Sequence, residues 1–265
     1  MSLYVLDDVG AALSNFRGWS YLARKQIELE HRRTWIGSAW IMLAFGMTSA
    51  GIGVLMSELQ GLSFQTHVPY VLFGFVAWNF ISTAVTGGCN TIINAKSYLL
   101  QMPTARSVFV MSAVLRNFYL MLIQLFTSLL IAAAFGWRPN MLALMVIPAM
   151  TLFFFAAFGS AMLLGLICAR FRDLGRLIEA AMRLSFFFTP IIWTAESGRG
   201  TIGGLIGAIM TWNPFAYILR IFRDGLLGFT PDPIAWAVTA AISVVLLGGG
   251  VIALQLAGRR VTYWL

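Results

Sequence analysis

Glu179 and Arg183 stand four residues apart in the stretch ARFRDLGRLIEAAMRLSFFFTPIIW at 169–193. On a helix that spacing places both on one face with the acid N-terminal, the better orientation for an ion pair. Such a pair serves either as a structural seal or, through the arginine, in binding a charged ligand. A basic cluster of Arg170, Arg172 and Arg176, with Asp173 among them, precedes it. The remaining chemistry-bearing residues form no reactive set. His31 and His67 are far apart, and neither has a partner at metal-ligand spacing. The sequence lacks GxxxxGK[ST], so no loop is built to cradle phosphates. No Ser-His-Asp set falls in one compartment. No catalytic residue, metal ligand or cofactor of its own is therefore assigned to this chain. No acid stands at the centre of an apolar span, as proton- or sodium-coupled carriers usually require. Any uphill transport must draw its energy from another chain.

The elements that carry these residues are apolar. Of 265 residues 59% are hydrophobic and 11% charged, against about 25% charged in a soluble domain. That composition predicts an integral membrane protein. The net charge of +8 does not point to nucleic acid, because the basic residues sit in short loops between apolar runs. Cys89 and Cys168 lie in apolar surroundings and imply no disulfide framework. The first 30 residues lack the apolar core of a signal peptide, so the N-terminus is expected to be retained.

Residues 11–33 are expected to form an amphipathic helix in the membrane interface. Phe16, Trp19, Ala23 and Ile27 recur on one side, and Arg17, Arg24, Lys25 and Glu28 on the other. Trp19 and Tyr21 suit headgroup depth; the alternative is a disordered basic tail. Spans are expected at 34–57, 68–95, 107–137, 141–169, 174–193 and 233–258, each long enough for about 30 Å of hydrocarbon. In the third span Arg116 stands at the base and Asn117 begins the uncharged part. The 96–106 loop is compact, with a helical turn before Pro103. In the fifth span the helix should break near Pro190, whose ring removes a backbone donor.

Between the fifth and sixth spans the pattern changes. Residues 200–210 are apolar, Gly-rich and too short to cross. Trp212-Asn213-Pro214 then starts a second short helix, with Asn213 as N-cap and Pro214 in the first turn, carrying Arg220, Arg223 and Asp224 and ending at Gly225 or Gly228. The expected fold is thus all-α: six transmembrane helices, an N-terminal interface helix, and two short re-entrant or outer-gate helices (200–228) before the last span. Backbone at that depth must be covered by protein or line a wet cavity. If the N-terminus is cytoplasmic, fourteen of the eighteen Lys and Arg residues fall on that side, leaving only Arg138, Arg199, Arg220 and Arg223 outside. Short basic loops favour the cytoplasm, so both termini are placed there.

The motifs resemble a known family. HRRTWIGSAW at 31–40 is similar to the start of the first span of ABC-2-type export permeases, although Glu30-His31 stands where that family usually has Arg-Tyr. FRDL at 171–174, FFFTPIIW at 186–193 and WNPF at 212–215 match further signatures in order. The resemblance covers nearly the whole chain and points to the subgroup that exports O-antigen, capsule and teichoic acid polysaccharides across the inner membrane. It implies a homodimer resting on two copies of a separate ATPase that binds ATP and Mg. It also implies that the 96–106 loop, through Ser97, Tyr98, Leu99, Leu100 and Gln101, contacts that ATPase, with Arg24 and Lys25 of the interface helix beside it. Asn213, Pro214, Arg220, Arg223 and Asp224 would belong to an outer gate.

A sliding lipid-linked polysaccharide needs a wall without strong point sites. Neutral aromatics meet that need, and they make up 14% of the chain. Trp78, Phe80, Tyr119, Phe154, Phe158 and Phe187 are the candidates, with charges only at the entrance near Arg183 and the exit near Arg220 and Arg223. Phe153, Phe154, Phe155 and Phe158 cover most of a helix circumference at about 100° per residue, so only part of that set can face one pore. Two other readings remain open. One is a small-molecule or drug exporter of the same family. The other is a membrane enzyme of lipid-linked sugars, which would need a polar or metal-binding cluster that the sequence does not display.

Overall fold

In the computed structural model, residues 3–31, 37, 39–101, 105–193, 212–258, 260–261 and 264 are described, and every regular element among them is a helix. Arg32, Arg33, Pro103, Arg199, Arg259 and the expected short segment at 200–210 lie outside the described residues. Helix α1 is Leu3–Ser14 and α2 is Phe16–His31. Then come α3 (Ala39–Gln60), α4 (Phe64–Asn94), the short α5 (Lys96–Gln101) and α6 (Arg106–Ala134). A 3-10 turn at Met141–Met145 leads into α7 (Val146–Arg170), followed by α8 (Arg172–Phe188), α9 (Pro214–Leu227) and α10 (Pro233–Ala257).

Among the described residues, five helical stretches are long and apolar enough to cross a membrane: α3, α4 with α5, α6, the 3-10 turn with α7, and α10. The chain is a multi-pass membrane protein. Helix α8 is not one of the five. It has 17 residues, about 26 Å at 1.5 Å per residue, and its first twelve residues carry Arg172, Asp173, Arg176, Glu179 and Arg183. The apolar run expected at 174–193 is thus divided between a short amphipathic helix and a non-helical tail at 189–193.

Helix α4 is the hub. It packs against α3, α6, α7, α8 and α9, and it is by far the most covered of the spans. Lipid supplies no hydrophobic force between helices, so close backbone approach must do the work. Glycines permit it. A Cβ on Gly88 of α4 would come within 2.9 Å of the Ala161 Cα of α7. A Cβ on Gly159 of α7 would run into the Leu246 and Leu247 backbone of α10. Between the helices, Phe80, Phe153 and Phe222 stack in sequence, with centroids 5.5 and 5.6 Å apart and rings nearly parallel. This ladder joins α4, α7 and α9 across the core. Asn117, eleven residues into α6, donates its Nδ2 proton to the Phe80 carbonyl of α4 at 3.1 Å. One polar bond therefore fixes the register of two apolar helices.

The N-terminal region differs from the single interface helix expected at 11–33. It is two helices joined at Asn15, a residue whose side chain competes with helical backbone bonds. Trp19 packs on protein rather than standing open at the surface. It is buried, its Nε1 donates to the Ala12 carbonyl at 2.9 Å, and it packs with Ala12, Val108 and Met111 against α6. The apolar stripe of α2 docks on protein, while Phe16 and Tyr21 stay exposed.

Candidate functional site

The first site is the non-helical tail that follows α8. Pro190 cannot donate a backbone bond, and the chain leaves the helix at Thr189 in an extended conformation. Side chains from three elements satisfy the freed carbonyls. Arg223 of α9 donates from Nη1 to the Pro190 carbonyl at 2.7 Å. Tyr70 Oη of α4 lies 3.3 Å from the same oxygen and 3.2 Å from the Trp193 carbonyl. Gln60, at the end of α3, donates to the Ile192 carbonyl at 3.2 Å. Asn213 donates to the Phe188 carbonyl at 3.1 Å and to Thr189 Oγ1 at 2.9 Å, while its Oδ1 accepts from the Phe215 amide. One residue thus caps α9 and holds the end of α8.

Arg223 is not an exit charge facing a channel. It is 6% exposed, and its guanidinium lies 3.8 Å from the centroid of the Tyr70 ring. Its Nε is 3.7 Å from Asp224 Oδ1, too far for a hydrogen bond but close enough for attraction. Arg220 faces the other way and donates to Asp232 Oδ2 at 2.8 Å. Burial works against the charge on Asp232, but Arg220 and the amides of Ile234 and Ala235 outweigh it and hold the carboxyl below its ordinary range. Asp232 also caps α10 through the Ile234 amide at 2.9 Å, with Pro233 at the first turn. Pro214 does the same for α9, and Gly228 ends that helix in the left-handed region at φ 84°.

The second site is a cavity of about 520 Å³ on the α4–α8 face, lined by Trp78, Ser82 and Thr86 on one side and Glu179, Arg183, Phe186 and Phe187 on the other. Trp78 meets Phe186 and Phe215 edge-on, each at 5.8 Å. Arg183 Nη2 is 3.9 Å from Glu179 Oε2, and the arginine side chain is 81% exposed. A pair that open contributes little to stability, so Arg183 is available to a ligand.

Only two of the six channel candidates line this cavity, Trp78 and Phe187. Phe80 is 3% exposed and belongs to the core ladder; a buried ring cannot face a passing polymer. Phe154 and Phe158 pack on the cluster around Trp19. Tyr119 lies beneath the Arg24 guanidinium, 6.0 Å from centroid to Cζ. On the α5 side, Leu99 is buried within the chain, whereas Ser97, Tyr98, Leu100 and Gln101 are exposed. Arg24 is exposed, and Lys25 is paired with Glu28 at 2.7 Å.

The comparisons with known proteins decide the family. The family model for ABC-2 type transporters matches residues 18–227. The chain belongs to the ABC-2 type transporter family. Three curated relatives of this ABC-2 chain carry the same name, O-antigen export system permease protein RfbA. The one from Myxococcus xanthus is 24% identical over 237 residues, 85% of this chain and 86% of the relative. Two from Klebsiella pneumoniae are 21% identical, one over 78% of this chain and 81% of the relative, the other over 77% of each. This ABC-2 chain is accordingly a transporter permease subunit and not an enzyme.

One residue of this permease was not legible as functional. Asp8 is buried, and its carboxylate accepts from the Arg106 amide at 3.0 Å, the Ser107 amide at 3.0 Å and the Ser107 hydroxyl at 2.6 Å. It caps α6 from another helix and fixes the point where the 96–106 loop re-enters the fold. The available signal was a deficit. Ala105, at the N-cap of α6, has no side-chain cap to offer, and a helix start needs an acceptor for its free amides. Replacing Asp8 by alanine should lower stability by about 2 kcal/mol. Asp8→Asn, which keeps one acceptor oxygen, should lose less. A thermal melt in detergent reads the difference, and equal melts for wild type and Asp8→Ala would remove the cap from the picture.

Proposed function

We propose that the chain is the membrane subunit of an exporter of lipid-linked polysaccharide of the O-antigen or capsular type. It works as a homodimer driven by two copies of a separate ATPase at the inner membrane, with both termini in the cytoplasm. The observation that carries this reading is the cavity on the α4–α8 face. Its aromatics and its loosely paired arginine suit a substrate with sugar rings and a pyrophosphate. Leu177, Leu184 and Phe188 of α8 are exposed in the single chain, which fits coverage by a second copy. The names of the relatives support the polymer class.

In this proposal α8 enters at the basic end and the tail at 189–193 completes a sixth crossing. Helix α9 and the preceding segment then form the outer gate. Export needs one part of the wall that can open, and backbone held by side chains rather than by a helical ladder can exchange partners at lower cost. Arg183 meets the pyrophosphate at the entrance; Trp78 and Phe187 offer flat faces to the sugars. Deleting the gene should abolish surface polysaccharide and leave lipid-linked glycan inside the cell. Normal surface polysaccharide in the deletion strain would overturn the substrate assignment.

The exposed residues of α5 are the proposed ATPase contact. Tyr98→Asp with Leu100→Asp should dissociate or uncouple the ATPase, because an unpaired charge in a contact costs several kcal/mol. Copurification of the two subunits and export rate are the readouts. Unchanged values for both would make α5 a connector.

A further inference from the structure

A second cavity, of about 680 Å³, lies between α2, α4, α6 and α7, on the side of α4 turned away from the α4–α8 site. The two sides are separable on the helix. Trp78, Ser82 and Thr86 face α8, whereas Thr83, Gly87, Asn90 and Asn94 face the second cavity. Its volume falls within the range of small-molecule sites, roughly 300–1,000 Å³.

The inner wall is built from small residues, Gly87, Gly88, Ala157 and Ala161. Polar side chains are spread along the lining, with Lys25 from α2, Asn90 and Asn94 from α4, Tyr98 from α5 and Arg116 from α6. Lys25 and Arg116 are the charged residues of the lining, and both are positive. Lys25 is held at the rim by Glu28. Within the wall, Ser112 Oγ is completely buried and has no hydrogen-bond partner in the protein. The exposed Tyr21 and Leu29 of α2 continue the rim as an apolar edge.

We propose that this cavity binds the phosphate group of an anionic lipid. Lys25 and Arg116 attract the phosphate, and the Asn90 amide donates to its oxygens. The chain lies along the glycine and alanine wall. A purely aqueous anion would have no use for that wall, and an uncharged lipid would have no use for the two basic side chains. The phosphate has two possible sources, a bulk membrane phospholipid or the diphosphate carrier of an export substrate. The site itself does not depend on the polymer assignment.

The test uses the full-length protein in neutral detergent and follows its thermal unfolding midpoint. Phosphatidylglycerol, phosphatidylcholine and undecaprenyl diphosphate are titrated separately, and then against each other. Phosphatidylglycerol should raise the midpoint by several degrees and phosphatidylcholine should not. Lys25→Gln should weaken phosphatidylglycerol about fivefold, as expected for one lysine near an anionic headgroup. Lys25→Gln with Arg116→Gln should abolish the shift, and Arg116→Lys should retain most of it. Undecaprenyl diphosphate that displaces phosphatidylglycerol from wild type assigns the site to the carrier; failure to displace it assigns the site to membrane phospholipid. Equal shifts with phosphatidylcholine, or a phosphatidylglycerol affinity unchanged in Lys25→Gln, would overturn the proposal. The single variant changes a half-buried rim residue, so the outcome does not depend on the folding of the double variant.

Discussion

Arg223→Leu is expected to destabilise the protein by about 3–5 kcal/mol and to abolish export. The arginine makes a charge-assisted bond to the Pro190 carbonyl, of the kind worth about 1.5–3 kcal/mol. It also lies over the Tyr70 ring in a desolvated position, where such contacts reach about 2 kcal/mol. Leucine removes both and leaves Asp224 with its near neighbour gone. Arg223→Lys keeps the charge over the ring but lacks the planar fork, so an intermediate melt is expected. The readouts are the melting midpoint in detergent and surface glycan in cells. A leucine variant that melts and exports like wild type would mean that the tail after α8 is held by Tyr70, Gln60 and Asn213 alone.

Gly159→Val should be at least as damaging to assembly, by about 3 kcal/mol or more, because the obstacle is backbone. A side chain at 159 meets the main chain of Leu246 and Leu247 on α10, and the Gly159 carbonyl would lie 2.9 Å from a Cβ on Gly250. Neither neighbour can swing aside as a side chain could. Gly248, two residues before Gly250, faces open space. Gly248→Ala should therefore be neutral or slightly stabilising, since alanine favours helix over glycine by about 1 kcal/mol. The yield of monodisperse protein and its melting midpoint separate the two. Equal behaviour of Gly159→Val and Gly248→Ala would show that α7 and α10 can part without cost.

The membrane class and most helices were legible because apolar runs and helix punctuation are local. Asn213-Pro214 carries its capping chemistry in adjacent residues, and the structure uses the pair that way. Arg223 was visible as a charge but not as a clamp. Its partners, Tyr70 and Pro190, come from α4 and from the end of α8, and helical spacing says nothing about which face of α9 meets them. Phe80 and Phe187 look alike in composition, yet one is stacked in the core and the other is exposed. Asp8 was the hardest to see, since the helix it caps begins about a hundred residues later. The break at Asn15 has only a weak local sign, the asparagine itself, because the apolar spacing of Phe16, Trp19 and Ala23 runs smoothly along α2 and does not mark where its start meets α1.

Transport in a closed system tests the exporter assignment most directly. The permease and its ATPase partner would be reconstituted into liposomes loaded on one leaflet with lipid-linked glycan, and lectin-accessible glycan on the opposite leaflet would be followed after ATP is added. Accessible glycan should rise with ATP only when both subunits are present, and should fall with Tyr98→Asp/Leu100→Asp. Glycan that crosses at the same rate without the ATPase subunit, or no ATP-dependent crossing by an intact complex, would contradict a partner-driven polysaccharide exporter.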